Sequence, residues 1–305
     1  MARYGINLDI FIPNLFVILS NAIRMTYRFV FLLFSISFLF HFPMQSQSLK
    51  VMTFNLRYST PRDGENSWDN RKAFVAELLQ YYEPDIFGVQ EALDGQMVYL
   101  DEALEQYTFV GVGRDDGKKK GEYSGVFYLK EKYKLLEGET FWLSEQPNKP
   151  SVGWDASMER ICTYVHLEEV ASGKKFWVFN THFDHKGMEA RAKSVDLILQ
   201  WTRKKNIAKE PVFVTGDLNL GPEEEPIKKL AAALADAWDA SATPPYGPVG
   251  TFNGFDFKHP LTRRIDYVFV SPESIVVDKY RTIDDFREFR YPSDHMPVLI
   301  HCHFK

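Results

Sequence analysis

The sequence predicts an α/β protein, and three observations carry that reading. Short β-prone apolar runs recur along the chain, and each ends in a polar or ionisable side chain. Stretches with apolar residues three and four apart lie between them, as helices require. With 305 residues, 45% of them apolar, there is enough hydrophobic material for a packed core. The formal charge of -5 argues against a broadly basic nucleic-acid face, because phosphate contacts need Lys and Arg gathered on one side. Local recognition of nucleic acid stays open.

Residues 1–47 differ from the rest. An apolar stretch over 29–42 follows Arg24 and Arg28 and gives way to Gln45, Ser46, Gln47 and Ser48, the pattern of a secretory signal. It is short for a membrane span, which needs roughly 20 apolar residues. The expectation is a leader over 1–47, with Met25 as an alternative start, cleaved on export to the periplasm or the exterior. An uncleaved anchor is the other outcome. Cys162 and Cys302 sit in apolar, β-like sequence and read as small buried hydrophobes, although an exported protein could pair them.

From residue 48 onward the elements follow in order. The first strand, 49–56, carries Asn55 at its tip, and a polar loop over 57–70 holds Trp68. A helix over 71–82 places Phe74, Leu78 and Tyr81 on one face, and Pro84 closes it. The run 86–91 delivers Glu91 at its end, followed by a helix over 93–105 and a strand over 107–112. The loop 113–123 contains Lys118, Lys119 and Lys120 but lacks the spacing of a phosphate-cradling loop, so it reads as solvated. Strands at 125–129, 133–140 and 161–170 come next. Arg160 stands at the mouth of the last, where a guanidinium either reaches a phosphate or pairs with an acid.

The run 176–185 ends in His182, Asp184 and His185, a density of ionisable groups that a purely structural strand end does not need. A helix over 187–205, with Val195 and Leu199 on its apolar stripe, leads into the sharpest signal in the chain. There, over 211–219, an apolar strand breaks at Thr215 and Gly216 and delivers Asp217 and Asn219, which a period of two would place on the same side. A helix at 225–234 and strands at 264–270 and 275–280 follow, the first with Asp266 near its start. An Asp294–His295 pair precedes the final strand.

The strand ends collect Asn55, Glu91, His182, Asp184, Asp217, Asn219, Asp266, Asp294 and His295. Oxygen ligands dominate and no Cys is among them, which points to a hard cation such as Mg²⁺. The histidines then suit phosphoester hydrolysis, as base or as donor to a phosphate oxygen. The motifs Thr53-Phe54-Asn55, Gln90-Glu91, Asn180-Thr181-His182, Gly216-Asp217-Leu218-Asn219, Arg264-Ile265-Asp266-Tyr267 and Ser293-Asp294-His295 stand in the order found in a known family. On them the chain resembles the endonuclease/exonuclease/phosphatase superfamily, the DNase I-like metal-dependent phosphoesterases, over nearly all of 49–305.

That resemblance implies a four-layer αββα sandwich of two mixed β-sheets, forming a single domain over 48–305. It implies metal ligation by Asn55 and Glu91 with Asp294 near the same centre, by Mg²⁺ or by Mn²⁺ in its place. Asp217 and Asn219 would orient water and phosphoryl oxygens, His295 would act on the phosphate with Asp266 positioning it, and His182 would assist. Arg160 and Asp184 are candidates for substrate contact. The implied substrate is a phosphodiester or phosphomonoester, and no stable protein partner follows. Nuclease action on DNA or RNA, a sphingomyelinase-like phospholipase, and a binding protein that has lost its chemistry are the alternatives.

Overall fold

The structure, a computed structural model, describes residues 1–2 and 48–305. The expected leader lies outside the described residues except for its first two. From residue 48 the elements run β1 (Leu49–Asn55), α1 (Trp68–Tyr82), β2 (Ile86–Gln90), α2 (Asp94–Ala103), β3 (Tyr107–Val110) and β4 (Val126–Leu129). Then come β5 (Tyr133–Trp142), β6 (Ile161–Glu169), β7 (Lys175–His182), α3 (Met188–Lys205) and β8 (Val212–Asp217). The chain finishes with α4 (Glu225–Ala233), β9 (Ala235–Asp236), the short α5 (Ala237–Ala240), β10 (Asp266–Val270), β11 (Ile275–Thr282) and β12 (Val298–Phe304).

These strands build two six-stranded sheets, ordered β11-β12-β1-β2-β4-β3 and β5-β6-β7-β8-β10-β9. Each is mixed, with one parallel pair at its centre: β1 with β2 in the first and β7 with β8 in the second. The sheets pack face to face through Val51, Ile86, Val126, Val165, Val178, Phe213 and Val268. Helices cover the outer faces. Val75, Leu78 and Leu79 of α1 close over Met52, Phe54, Phe87 and Val89. Val195, Ile198 and Leu199 of α3 and Ile227 and Leu230 of α4 close over Trp177, Phe179, Val214 and Phe269. The architecture is the αββα sandwich expected. Burying one such large apolar side chain contributes roughly 2 kcal/mol, and every central strand buries both faces.

Two expectations need correction. The stripe of α1 is Trp68, Val75, Leu78 and Leu79 rather than Phe74, Leu78 and Tyr81, and Tyr81 is left exposed. Phe74 instead lies beneath the guanidinium of Arg287. The helix begins three residues earlier than 71, and with Trp68 included the periodicity rotates toward the core. The strand expected to continue to residue 219 stops at Asp217, with consequences for the site. Cys162 and Cys302 are both free and buried, as small hydrophobes.

Candidate active site

The pleat explains why one end of the sandwich is polar. Residues two apart on a strand share a face, and the faces turned toward the opposite sheet read Val51, Thr53, Asn55 on β1 and Ile86, Gly88, Gln90 on β2. They read Val178, Asn180, His182 on β7, Phe213, Thr215, Asp217 on β8, and in reverse Val268 then Asp266 on β10. Each goes from apolar to polar toward the same end. The middle layer is a hydrogen-bonded belt. Gln90 Nε2 donates to Thr53 Oγ1 (3.0 Å) and to Asn180 Oδ1 (2.6 Å), while Asn180 Nδ2 donates across the sandwich to the carbonyls of Val89 and Gly125 (2.9 Å each). Gly88 is needed beside it, because a Cβ there would lie 2.3 Å from Asn180 Oδ1.

Above the belt the site residues converge. Asn55 Nδ2 donates to Glu91 Oε1 (3.1 Å) and Asp217 Oδ2 (3.0 Å), and lies 3.4 Å from His295 Nε2. His295 Nδ1 donates to Asp266 Oδ2 (2.9 Å). Glu91 takes a left-handed φ of 59° immediately after β2, and such strained positions are retained where function demands an orientation. Asn219, at φ 51°, reaches the site by a turn rather than by the pleat, since its amide N–H donates to Asp217 Oδ1 (2.9 Å). Its side-chain amide then donates to the Phe183 carbonyl and to His182 Nε2 (3.1 Å each). Asp294 is buried and accepts from Ser293 Oγ at 3.3 Å.

Nearly all of these residues line one cleft of about 280 Å³, which contains Glu91, His182, Asp217, Asn219, Asp294 and His295. Asp266 lies behind His295. Arg160 is on the cleft wall, whereas Asp184 stands behind it, with Arg160 Nε 3.4 Å from Asp184 Oδ2. Several lining residues carried no clear sequence signal: Arg57, Glu122, Met158, Phe252 and Arg263. Glu122 belongs to the loop expected to be merely solvated. It forms a two-pronged pair with Arg114 (2.7 and 2.8 Å) and approaches His182 Nδ1 to 3.8 Å. Its chemistry arises from a loop folding back, which periodicity does not reveal.

Electrostatics set the carboxylates apart. Burial, then Asp266, pushes the Asp217 carboxyl up to about 7. Burial raises Asp294 as well, with Glu91 adding to the shift, and raises Glu122 with the same contributor. Such mutually opposed carboxylates suit a divalent cation, whose charge relieves the repulsion. Glu91 lies where acidic and imidazole donors gather: one ligand atom each from Glu91, His182 and Asp217 lies within 4.8 Å of the others, and Asp294, raised by Glu91, faces the same cleft.

Known proteins resemble this chain in sequence and shape. Residues 52–295 match the Endonuclease/Exonuclease/phosphatase family. An endonuclease/exonuclease/phosphatase family protein from Bacteroides thetaiotaomicron is 37% identical with a TM-score of 0.81, covering 86% of this chain and 99% of that one. The mannosyl-6-phosphatase of Bacteroides thetaiotaomicron VPI-5482 is 37% identical with a TM-score of 0.80, covering 84% of this chain and 100% of that one. Nocturnin of Rattus norvegicus is 24% identical over 296 residues, covering 84% of this chain but 65% of its own length.

Proposed function

The chain belongs to the endonuclease/exonuclease/phosphatase family of phosphoester hydrolases, and from that premise we propose that it is an exported, Mg²⁺-dependent phosphomonoesterase acting on small sugar-phosphate-like substrates. The observation that carries the reading is the convergence of Glu91, Asp217, Asp294 and His295 in a single small cleft, with Asn55 buried behind it and bonded to Glu91 and Asp217. A monoester is favoured over a nucleic acid by the lining. Arg57, Arg160 and Arg263 are balanced there by Glu91, Glu122, Asp217 and Asp294, so the cleft lining offers a polyanion no net basic surface to follow. Similarity to a mannosyl-6-phosphatase at 37% identity supports the same substrate class. Export rests on the apolar stretch over 29–42 behind Arg24 and Arg28. N-terminal mass spectrometry of the secreted protein tests it, a start at Met1 or Met25 counting against cleavage.

Glu91 and Asp294 would hold the cation, joined by Asn55 once its side-chain amide turned to present Oδ1, which here accepts from the Arg57 amide (2.9 Å), with Mn²⁺ able to replace Mg²⁺. When bound, the ion supplies charge neutralisation at the phosphoryl oxygens. The remaining steps fall to side chains. Asp217, raised to about 7, is matched to take a proton from the attacking water near neutrality; as the bond from phosphorus to the ester oxygen breaks, the departing alkoxide takes up a proton from solvent and leaves as the alcohol. His295 is raised to about 10; burial lowers it, but Asp266 and Asp217 outweigh that, so it stays a cation and donates to a phosphoryl oxygen. Asn219 and a neutral His182 line the opposite side and orient the phosphoryl group. A base in this position supplies on the order of 10² to 10⁴ in rate, and positioning supplies much of the rest.

The test compares phosphate release from mannose 6-phosphate and p-nitrophenyl phosphate with p-nitrophenol release from bis-p-nitrophenyl phosphate and strand cleavage of DNA, each with Mg²⁺ and with EDTA. Monoesters should be hydrolysed fastest, and EDTA should abolish the activity. Faster cleavage of the diester or of DNA, or turnover indifferent to EDTA, contradicts the reading.

A further inference from the structure

Resting on the phosphomonoesterase reading, we propose that His185 reads the leaving group, donating its Nε2–H to a hydroxyl of a polyhydroxylated alcohol, such as a hexose, whose phosphate lies between His295 and His182. His185 is an exposed residue on the cleft wall just beyond β7. Its Nδ1 lies 3.1 Å from Arg160 Nη2. A guanidinium can only donate, so Nδ1 is the acceptor and the proton of the neutral ring sits on Nε2. Burial, reinforced by Arg160, lowers the pKa of His185, in keeping with a ring that stays neutral.

The donor is also held in place. Arg160 is buried, and its Nε faces Asp184. Asp184 in turn accepts from Ser157 N (3.0 Å), Ser157 Oγ (2.7 Å), Lys186 N (2.9 Å) and Gly187 N (2.7 Å). A neutral imidazole fixed in one tautomer by this chain of contacts is a preorganised hydrogen-bond donor. The adjoining walls suit an amphipathic ring. Met158, Phe252 and Ile265 add apolar surface among the polar and charged groups of the cleft, and the Phe252 ring lies 4.9 Å from that of His295. A pyranose presents one face of C–H groups and an edge of hydroxyls. A lipid tail needs a continuous apolar wall, which this lining lacks.

The experiment compares kcat/KM for mannose 6-phosphate and for p-nitrophenyl phosphate, whose leaving group carries no additional hydroxyl, in wild type, His185→Ala and His185→Gln. The alanine variant should lower the sugar-to-aryl ratio about tenfold or more, chiefly through KM, because a site built to bond a hydroxyl discriminates by it. Gln, which keeps an N–H near the place of Nε2, should restore most of the ratio. Melting temperatures of both variants establish that they are folded. If the two substrates fall by the same factor in His185→Ala, or if Gln restores nothing, the inference is overturned while the phosphoesterase reading stands. If wild type hydrolyses neither substrate, both fail.

Discussion

His295 and His182 are both buried beside Asp217, at 3.7 and 3.5 Å from its Oδ2, yet the two sides of the cleft leave one ring charged and the other neutral. On the β10 side, Asp266 holds Nδ1 of His295, and with Asp217 it overcomes burial and keeps the ring protonated. On the β7 side, burial, Arg160 and Arg114 drive the pKa of His182 well below that of a free histidine. Asn219 Nδ2 lies 3.1 Å from its Nε2, closer than the 3.4 Å between Asn55 Nδ2 and Nε2 of His295, in keeping with an acceptor nitrogen on a neutral ring. Residue type alone did not decide the role; the neighbour delivered by the next strand or loop did. One wall carries a fixed cation and the other a neutral ring.

The largest expected effect sharpens this contrast. His295→Gln removes a cation from the phosphoryl group and should lower kcat/KM on the order of 10³-fold. His182→Gln replaces one neutral polar group by another and should cost about tenfold. Equal losses in a steady-state assay would break the comparison. Next comes Asp266→Asn, which removes the partner that keeps His295 charged and should lower kcat on the order of 10²-fold.

The same variant has a pH signature in metal-free protein. His295 is raised from 6.5 to about 10, so the folded state binds this proton more tightly than the unfolded state. The stability it contributes is full below pH 6.5 and is lost as pH rises through about 10. The melting-temperature deficit of Asp266→Asn should therefore be largest near pH 6 and shrink toward pH 10. A deficit that grows with pH contradicts the assignment.

Smaller again is Asp184→Asn. Burial by itself raises the Asp184 carboxyl, but the amides of Gly187 and Lys186, Ser157 and Arg160 outweigh it and hold it well below the ordinary carboxylate range. Its contribution is present above the unfolded carboxylate pKa of about 3.9 and is lost as pH falls below it. At neutral pH the variant should lose about 1–3 kcal/mol in urea unfolding, with the gap narrowing in acid. The smallest effect expected on the chemistry is from Gly88→Ala. It should act mainly on stability, since its Cβ collides with Asn180 Oδ1, by about 1–3 kcal/mol in thermal unfolding.

Much of this was legible because sandwich strands are simple to read. Apolar runs ending in Asn55, His182 and Asp217 give both the core and the edge where polar groups gather, since the pleat and the burial follow one period. What escaped reading depends on chain reversals. Asn219 arrives through a turn with a left-handed residue, not along its strand. Glu122, paired with Arg114, meets His182 only because a charged loop folds inward. Asp184 lies in the same short run as His182 but turns behind Arg160. The α1 stripe was misplaced because Trp68, which fixes its phase, precedes the expected start of the helix.

The central claim, that the ends of β1 and β2 present a divalent-cation site to a phosphoryl pocket between the two histidines, is tested most directly by anomalous diffraction from crystals soaked in Mn²⁺. The expected result is an anomalous peak within coordination distance of Glu91, on the side of Asn55 and Asp294, that disappears in Glu91→Ala. A peak lodged elsewhere, or one that survives that substitution, contradicts the account.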